Sequence, residues 1–198
     1  TVAAATMMWF LAGFFLHLEH CLKTISAMLI LQDYCLSLFT FIKISEKLNV
    51  KLLMVGDGPE KERAIRYCRS QGIENSVLFL GRSNQIDEIL CFSDLFLLPS
   101  EQESFGLAAL EAMVHGVPVV CSNVGGLPEV IEDGVSGFLC PLGDVNAMAD
   151  RAIHILEDPE RHKRFKRQAY ESSEKFDVEK IIIYYESLYQ KAKENTPT

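Results

Sequence analysis

The sequence predicts an α/β fold, a doubly wound parallel sheet of Rossmann-like character. Two patterns predict it. Short apolar runs recur at Lys51–Val55, Val77–Leu80, Leu95–Leu98, Pro118–Cys121 and Phe138–Cys140. Continuous runs of this length fit strands buried on both faces better than strands with one wet face. Between the runs lie segments with helix starts and stops, and most runs close on Gly, Pro or Ser. Such alternation gives a parallel sheet covered by helices, with right-handed crossovers.

The elements follow in order. Residues 1–42 read as an atypical, apolar, helical N-terminal segment, with the regular domain over 43–198. Thr1–Leu16 carries no charge, and Thr24–Ile42 carries only Asp33. Three readings compete for this segment: a membrane anchor, a helical hairpin packed on the domain, or a stretch not native to it. His17-Leu-Glu-His20-Cys21 could be drawn as a metal cluster, but no distant ligands complete it.

From Lys51 the order is regular. The first strand ends at the turn Gly56-Asp-Gly-Pro59, and Pro59 opens a helix to about Ser70 that stops at Gly72. Val77–Leu80 is closed by Gly81, and Asn84 is expected to cap a short helix through Leu90. The strand Leu95–Leu98 ends at Pro99-Ser100. The next helix carries Glu111 and stops near His115-Gly116. After Pro118–Cys121, Gly125-Gly126 makes a loop and Pro128-Glu129 starts a short helix. Beyond Phe138–Cys140, Asp144 caps a helix to about Leu156, Pro159 opens another, and Val178–Lys193 forms the last.

Composition narrows the function. Hydrophobic residues make up 48% and charged residues 23% of the 198 positions, as in a globular protein. The net charge is −8 and no basic stripe is present, which argues against nucleic acid as a partner. The basic run His162-Lys-Arg-Phe-Lys-Arg167 reads as a solvated helix face. Six scattered cysteines form no C-x-x-C pair, so they fit small core residues in a reducing, cytoplasmic setting rather than a metal site.

Chemistry is expected at the carboxyl ends of the strands. The richest loop there is Pro99–Gly106, which delivers Glu103 and enters a helix at Phe105-Gly106-Leu107. Gly106 allows close approach of a ligand, and free N–H groups at the helix start make an anion site. Eight positions beyond Glu103, Glu111 stands among Leu107, Ala108, Ala109, Leu110, Ala112, Met113 and Val114, where a carboxylate is costly to bury alone. Diphosphate at the amides, with hydroxyls at the two glutamates, is a coherent set for a nucleotide sugar. Structural roles compete with it. Ser100-Glu-Gln-Glu103 has the form of a capping box, and Glu111 could pair with a buried cation. Gly56-Asp-Gly-Pro59 lacks dinucleotide-fingerprint spacing, and His115 suits a helix C-terminus.

From about Lys43 to Lys193 the chain resembles the C-terminal half of retaining glycosyltransferases of family four, which have the GT-B fold. The resemblance rests on Leu53-Met-Val-Gly-Asp-Gly-Pro59, Phe79-Leu-Gly81, Ser93-Asp-Leu-Phe-Leu-Leu-Pro-Ser100 and Glu103-Ser-Phe-Gly106 with Glu111-Ala-Met113. It continues through Gly116-Val-Pro-Val-Val120, Gly125-Gly-Leu-Pro-Glu129 and Asp133-Gly-Val-Ser-Gly-Phe138. Each piece is weak alone. Their common order is specific.

The resemblance implies that Glu103 holds donor-sugar hydroxyls and is the catalytic residue, orienting the donor and stabilising charge rather than attacking. It implies that Glu111 holds the ribose, that the amides of Phe105, Gly106 and Leu107 face the diphosphate, and that Gly81-Arg82 lies near the base. The wording around Glu103 and Gly143-Asp144-Val145 is most similar to members that move N-acetylglucosamine from UDP-GlcNAc to L-malate in bacillithiol biosynthesis. It implies transfer with retention, no required metal or other cofactor, and an N-terminal Rossmann domain carrying the acceptor site. The family's Arg and Lys clamp has no matching pattern ahead of Lys43, and Lys23 cannot be assigned to it. A non-catalytic nucleotide-sugar-binding domain or fragment and a membrane-attached transferase are the alternatives.

Overall fold

The computed structural model describes residues 25–30, 34–180, 182 and 186. The sequence-stretch His17–Cys21 lies outside the described residues, as does most of the expected helix Val178–Lys193, which is entered at Val178–Lys180. In chain order the elements are β1 (Ile25–Ile30), α1 (Tyr34–Ser45), β2 (Val50–Val55), α2 (Lys61–Ser70) and β3 (Val77–Gly81). They continue with α3 (Ile86–Cys91), β4 (Leu95–Leu98), α4 (Leu107–Val114), β5 (Val119–Ser122), α5 (Leu127–Val130) and β6 (Gly137–Cys140). The helices α6 (Val145–Leu156) and α7 (Pro159–Ser173) follow, and a 3₁₀ turn over Glu174–Phe176 ends the series.

The six strands of the described residues join one sheet in the order β3-β2-β1-β4-β5-β6, and each of their pairings is parallel. The carboxyl ends of the strands therefore share one edge. The order reverses between β1 and β4, and in open sheets of this kind ligands bind beside such a reversal.

The apolar runs are continuous because the two faces of the sheet are both buried. In β2, Val50, Leu52 and Met54 pack on one face with Leu38, Phe41 and Ile44 of α1 and Met148, Ala152 and Ile155 of α6. Leu53 and Val55 point to the other face, with Phe96 and Leu98 of β4, Leu90 of α3, and Ala109, Ala112 and Met113 of α4. The same alternation divides Leu95 and Leu97 from Phe96 and Leu98 in β4. Lys51 departs from the apolar pattern, and its ammonium donates to the Asn75 carbonyl at 2.7 Å.

The described part of the N-terminal segment corrects the helical expectation for 1–42. Ile25–Ile30 is a strand, and it is the middle one, pairing with β2 on one side and β4 on the other. Tyr34–Ser45 is a helix that carries Leu38, Phe41 and Ile44 into the core. Neither is an appendage. A short, continuously apolar strand inside a longer apolar stretch has no period to distinguish it from helix.

Smaller expectations also shift. The helix after Gly56-Asp-Gly-Pro59 begins at Lys61, with Glu60 as its cap residue. Gln85, rather than Asn84, stands at the cap of α3, and the Ser83 hydroxyl accepts the Gln85 N–H at 3.1 Å. Asp144 caps α6 as expected, accepting from the Ala147 N–H at 2.9 Å. Asp158 caps α7 through the Glu160 and Arg161 amides. The basic run on α7 has Lys163, Arg164 and Arg167 exposed and Phe165 buried, as a solvated face requires.

Candidate functional site

The loop from Pro99 to Gly106 leaves β4 at the carboxyl edge, beside the reversal in strand order. Gly106 is the cap residue of α4, with φ of 95°, a value that suits glycine alone among ordinary residues. Helix α4 therefore starts later than the Ser100–Glu103 pattern requires, and that capping box is not formed. Instead the half-buried Glu103 reaches forward, and its Oε1 accepts the Gly106 N–H at 3.2 Å. A carboxylate thus sits against the first amide at the head of α4. The first N–H groups of any helix lack partners within it.

A second loop fixes the first. The Gly126 N–H donates to the Glu103 carbonyl at 3.1 Å. A side chain on Gly125 would overlap that carbonyl oxygen, and one on Gly126 would lie 2.6 Å from the Ser104 carbonyl oxygen and 2.7 Å from the Phe105 Cα. The Gly125-Gly126 pair is a close-packing surface for the Glu103 loop. The sequence alone marks a loop and a helix start here; the close approach needs the fold to bring β4 and β5 side by side.

Glu111 requires a correction. It is exposed on α4, not buried among apolar neighbours. Ala109, Ala112 and Met113 face the core, whereas Leu107 (63% exposed) and Val114 (50%) lie on the open side with Glu111. Positions 107, 111 and 114 follow helical spacing, so they share one face. The carboxylate is solvated, and the apolar stripe around it is exposed too.

Phe105 is partly exposed and meets Phe176 edge to face at 6.1 Å. At the other end of the carboxyl edge, Gly81 closes β3 with φ of 66°, and its carbonyl accepts the Gly56 N–H at 2.7 Å. Arg82 is exposed beside it. The Lys61 ammonium lies 3.8 Å from Asp57 and close to Gly81, so it joins Arg82 as a cation at this edge. Sequence reasoning missed Lys61 because it belongs to the amphipathic pattern of α2. It also missed Ser122, fully buried at the carboxyl end of β5, whose hydroxyl has no hydrogen-bond partner among the described residues.

Burial pushes the Cys68 and Cys140 thiols up to about 11, and raises the Cys121 thiol further. Those three behave as core residues, whereas Cys91 is exposed. Among the described residues no group of His, Cys, Asp and Glu side chains could hold a metal ion.

Strand order and edge define the class: an α/β domain of Rossmann-like type, built on a parallel sheet whose carboxyl ends share one edge. The family model for glycosyl transferases group 1 matches residues 32–172, and the chain belongs to that family. The expectation drawn from the motif order is borne out. Over 150 residues the chain is 48% identical to the N-acetyl-alpha-D-glucosaminyl L-malate synthase of Bacillus anthracis, covering 75% of this chain and 39% of that protein. It is 32% identical over 134 residues to the sulfoquinovosyl transferase SQD2 of Arabidopsis thaliana, covering 65% of this chain and 26% of that one. The chain thus spans well under half the length of these relatives. Among solved structures it resembles Anabaena HepE in complex with UDP-glucose, with a TM-score of 0.74, 27% identity, and coverage of 84% of this chain and 49% of the other.

Proposed function

We propose that this chain is the donor-binding half of a retaining GT-B glycosyltransferase, a doubly wound domain that holds a nucleotide sugar at its carboxyl edge. The observation that carries the reading is the head of α4. A Gly106-capped helix start, already satisfied by a carboxylate, is held at the reversal of the sheet by the Gly125-Gly126 contact. An anionic diphosphate is chemically equivalent to the carboxylate that sits there.

In this reading the amides of Phe105, Gly106 and Leu107 take the diphosphate, and Glu103 turns from the Gly106 N–H to the donor-sugar hydroxyls. Glu111, solvated on the open face of α4, takes the ribose hydroxyls. Gly81 and Arg82 lie near the base, with Lys61 as an added cation at that edge. During transfer the C1–O bond to the leaving diphosphate breaks. A C1–O bond to the acceptor hydroxyl forms on the same face of the sugar, and the acceptor proton ends on the leaving phosphate oxygen. Glu103 positions the donor and stabilises the charge that develops at C1.

The likeness to the malate synthase supports UDP-GlcNAc as donor and L-malate as acceptor. The acceptor would be bound by a second Rossmann domain outside this chain. The scattered cysteines, with no C-x-x-C pair and with Cys68, Cys121 and Cys140 in the core, fit a reducing cytoplasmic setting. Among the described residues, no helix is long and apolar enough to cross a membrane.

Calorimetric titration of the chain with UDP, UDP-GlcNAc, UDP-glucose and GDP-mannose tests the reading. The expected result is binding of UDP and UDP-GlcNAc without efficient turnover by the chain alone. Absence of heat with every uridine nucleotide refutes the donor site, and efficient transfer by the purified chain refutes the half-site.

A further inference from the structure

On the edge of the sheet opposite the donor site, three side chains meet that this function does not use. Helix α3 runs down to β4, so its last residue, Cys91, lies near the amino ends of the strands. Helix α4 descends from the Glu103 loop, and its C-terminal cap residue, His115, reaches the same edge. The Cys91 Sγ lies 3.5 Å from His115 Nδ1, and His115 Nε2 lies 3.0 Å from Asp87 Oδ1. Asp87 and Cys91 are four positions apart on α3, so they share a face and flank the ring.

The order thiol, imidazole, carboxylate sets the tautomer. With Asp87 accepting from Nε2–H, Nδ1 is left as an acceptor facing the thiol. A nucleophile within reach of a base, with that base oriented by a third group, is the arrangement of an activated thiol. His115 also stands at the C-terminus of α4, where a cation is favoured. Cys91 itself ends a helix, which opposes a thiolate. That helix has only six residues, and the His115 ring is the nearer group. Cys91 is exposed, so small reagents can reach it.

We propose that Cys91 is a reactive thiol and a modification site for low-molecular-weight disulfides and soft electrophiles, with His115 as its base and Asp87 as the residue that positions the ring. In the disulfide reaction the Cys91 proton passes to His115 Nδ1 and the sulfur attacks one sulfur of the disulfide. The S–S bond breaks, the departing thiolate takes the electron pair, and His115 returns the proton to it. One mixed disulfide and one thiol result. No other oxidant is consumed. This proposal is independent of the donor-binding reading.

The size of the effect follows from thiol chemistry. An assisting base speeds attack by a thiol by about a few-fold rather than by orders of magnitude, because a better-ionised sulfur is also a weaker nucleophile. Cys35, half-buried, serves as an internal reference, and Cys68, Cys121 and Cys140 are buried.

The experiment treats the reduced, folded chain with limiting iodoacetamide and, separately, with oxidised glutathione, and follows each cysteine by peptide mass spectrometry. Cys91 is expected to react first with both reagents. His115→Gln and Asp87→Asn are each expected to slow Cys91 about threefold while leaving the rate of Cys35 and the thermal midpoint unchanged. Asp87→Glu should restore most of the rate, which a role in helix packing alone would not require. Because Asp87 is 87% exposed, its variants leave the fold intact even if His115→Gln does not. Equal rates at Cys91 in the parent chain and in Asp87→Asn overturn the proposal, as does Cys35 reacting as fast as Cys91.

Discussion

Replacing Gly125 by Ala isolates the contact that holds the candidate site. Gly125 has φ of 52°, and a Cβ there would overlap the Glu103 carbonyl oxygen and lie 2.8 Å from its carbon. Three contributions add. The left-handed backbone costs an L-residue roughly 1–2 kcal/mol. Relieving an overlap with backbone rather than with a flexible side chain adds about 1–3 kcal/mol. Separating the loops also removes the Gly126 N–H bond to Glu103, about 1 kcal/mol. The sum is about 4 kcal/mol, large beside the roughly 5–15 kcal/mol of a typical domain. Gly143→Ala is the control: its φ is 75°, but nothing lies within 4 Å of a Cβ there. That change carries the backbone contribution alone, roughly 1–2 kcal/mol. Urea denaturation followed by far-ultraviolet circular dichroism measures both. A gap of about 3 kcal/mol is expected between the two variants. If Gly125→Ala and Gly143→Ala agree within about 0.5 kcal/mol, the Gly125 contact does not brace the Glu103 loop.

Other outcomes follow from the same geometry. Glu103→Ala should weaken UDP-GlcNAc by about tenfold or more, given roughly 1.5–3 kcal/mol for hydrogen bonds to a charged group, and affect UDP less; Glu111→Ala should weaken both. Calorimetry giving unchanged affinity in both variants would sink the assigned roles. Asp144→Ala removes the cap of α6 and should lower the unfolding free energy by about 1 kcal/mol in urea titration. The Arg161 amide, aided by that of Glu160, holds the Asp158 carboxyl below its ordinary value, so its contribution is present above the unfolded aspartate value and is lost as pH falls through the lower folded one. Urea midpoints between pH 2 and 6 should therefore converge for the parent and Asp158→Ala at the acid end. Cys68 and Cys140, with thiols pushed up to about 11 by burial, should resist iodoacetamide at neutral pH until urea unfolds the chain.

Much of the fold was legible because β2, β4, β5 and β6 are apolar and largely buried on both faces and, like the more open edge strand β3, are cut cleanly by Gly, Pro and Ser. Asp144 and Pro159 marked their helices for equally local reasons. The middle strand was not legible. Ile25–Ile30 and the start of α1 lie in one apolar stretch, and two apolar elements in succession show no change of period. Glu111 failed for the opposite reason. A helix apolar on every side reads as buried on every side, yet Leu107 and Val114 are open. The candidate site was legible as one loop. Its brace was not, because the contact between Glu103 and Gly125 depends on strand neighbours that lie more than twenty positions apart in the chain.

The central position of β1 also orders assembly. β2-α2-β3 and the run from β4 to β6 are each built from neighbouring segments, so each can form from contacts close in the chain. β1 is the seam between them, and its pairing with β4 spans about seventy residues, from Ala27 to Leu95. Closing that seam is a non-local step and should govern the folding rate. A chain begun at Lys43 would lack the seam. Its two sheet fragments would each expose a parallel edge where β1 belongs, an invitation to pair with other copies rather than to fold alone.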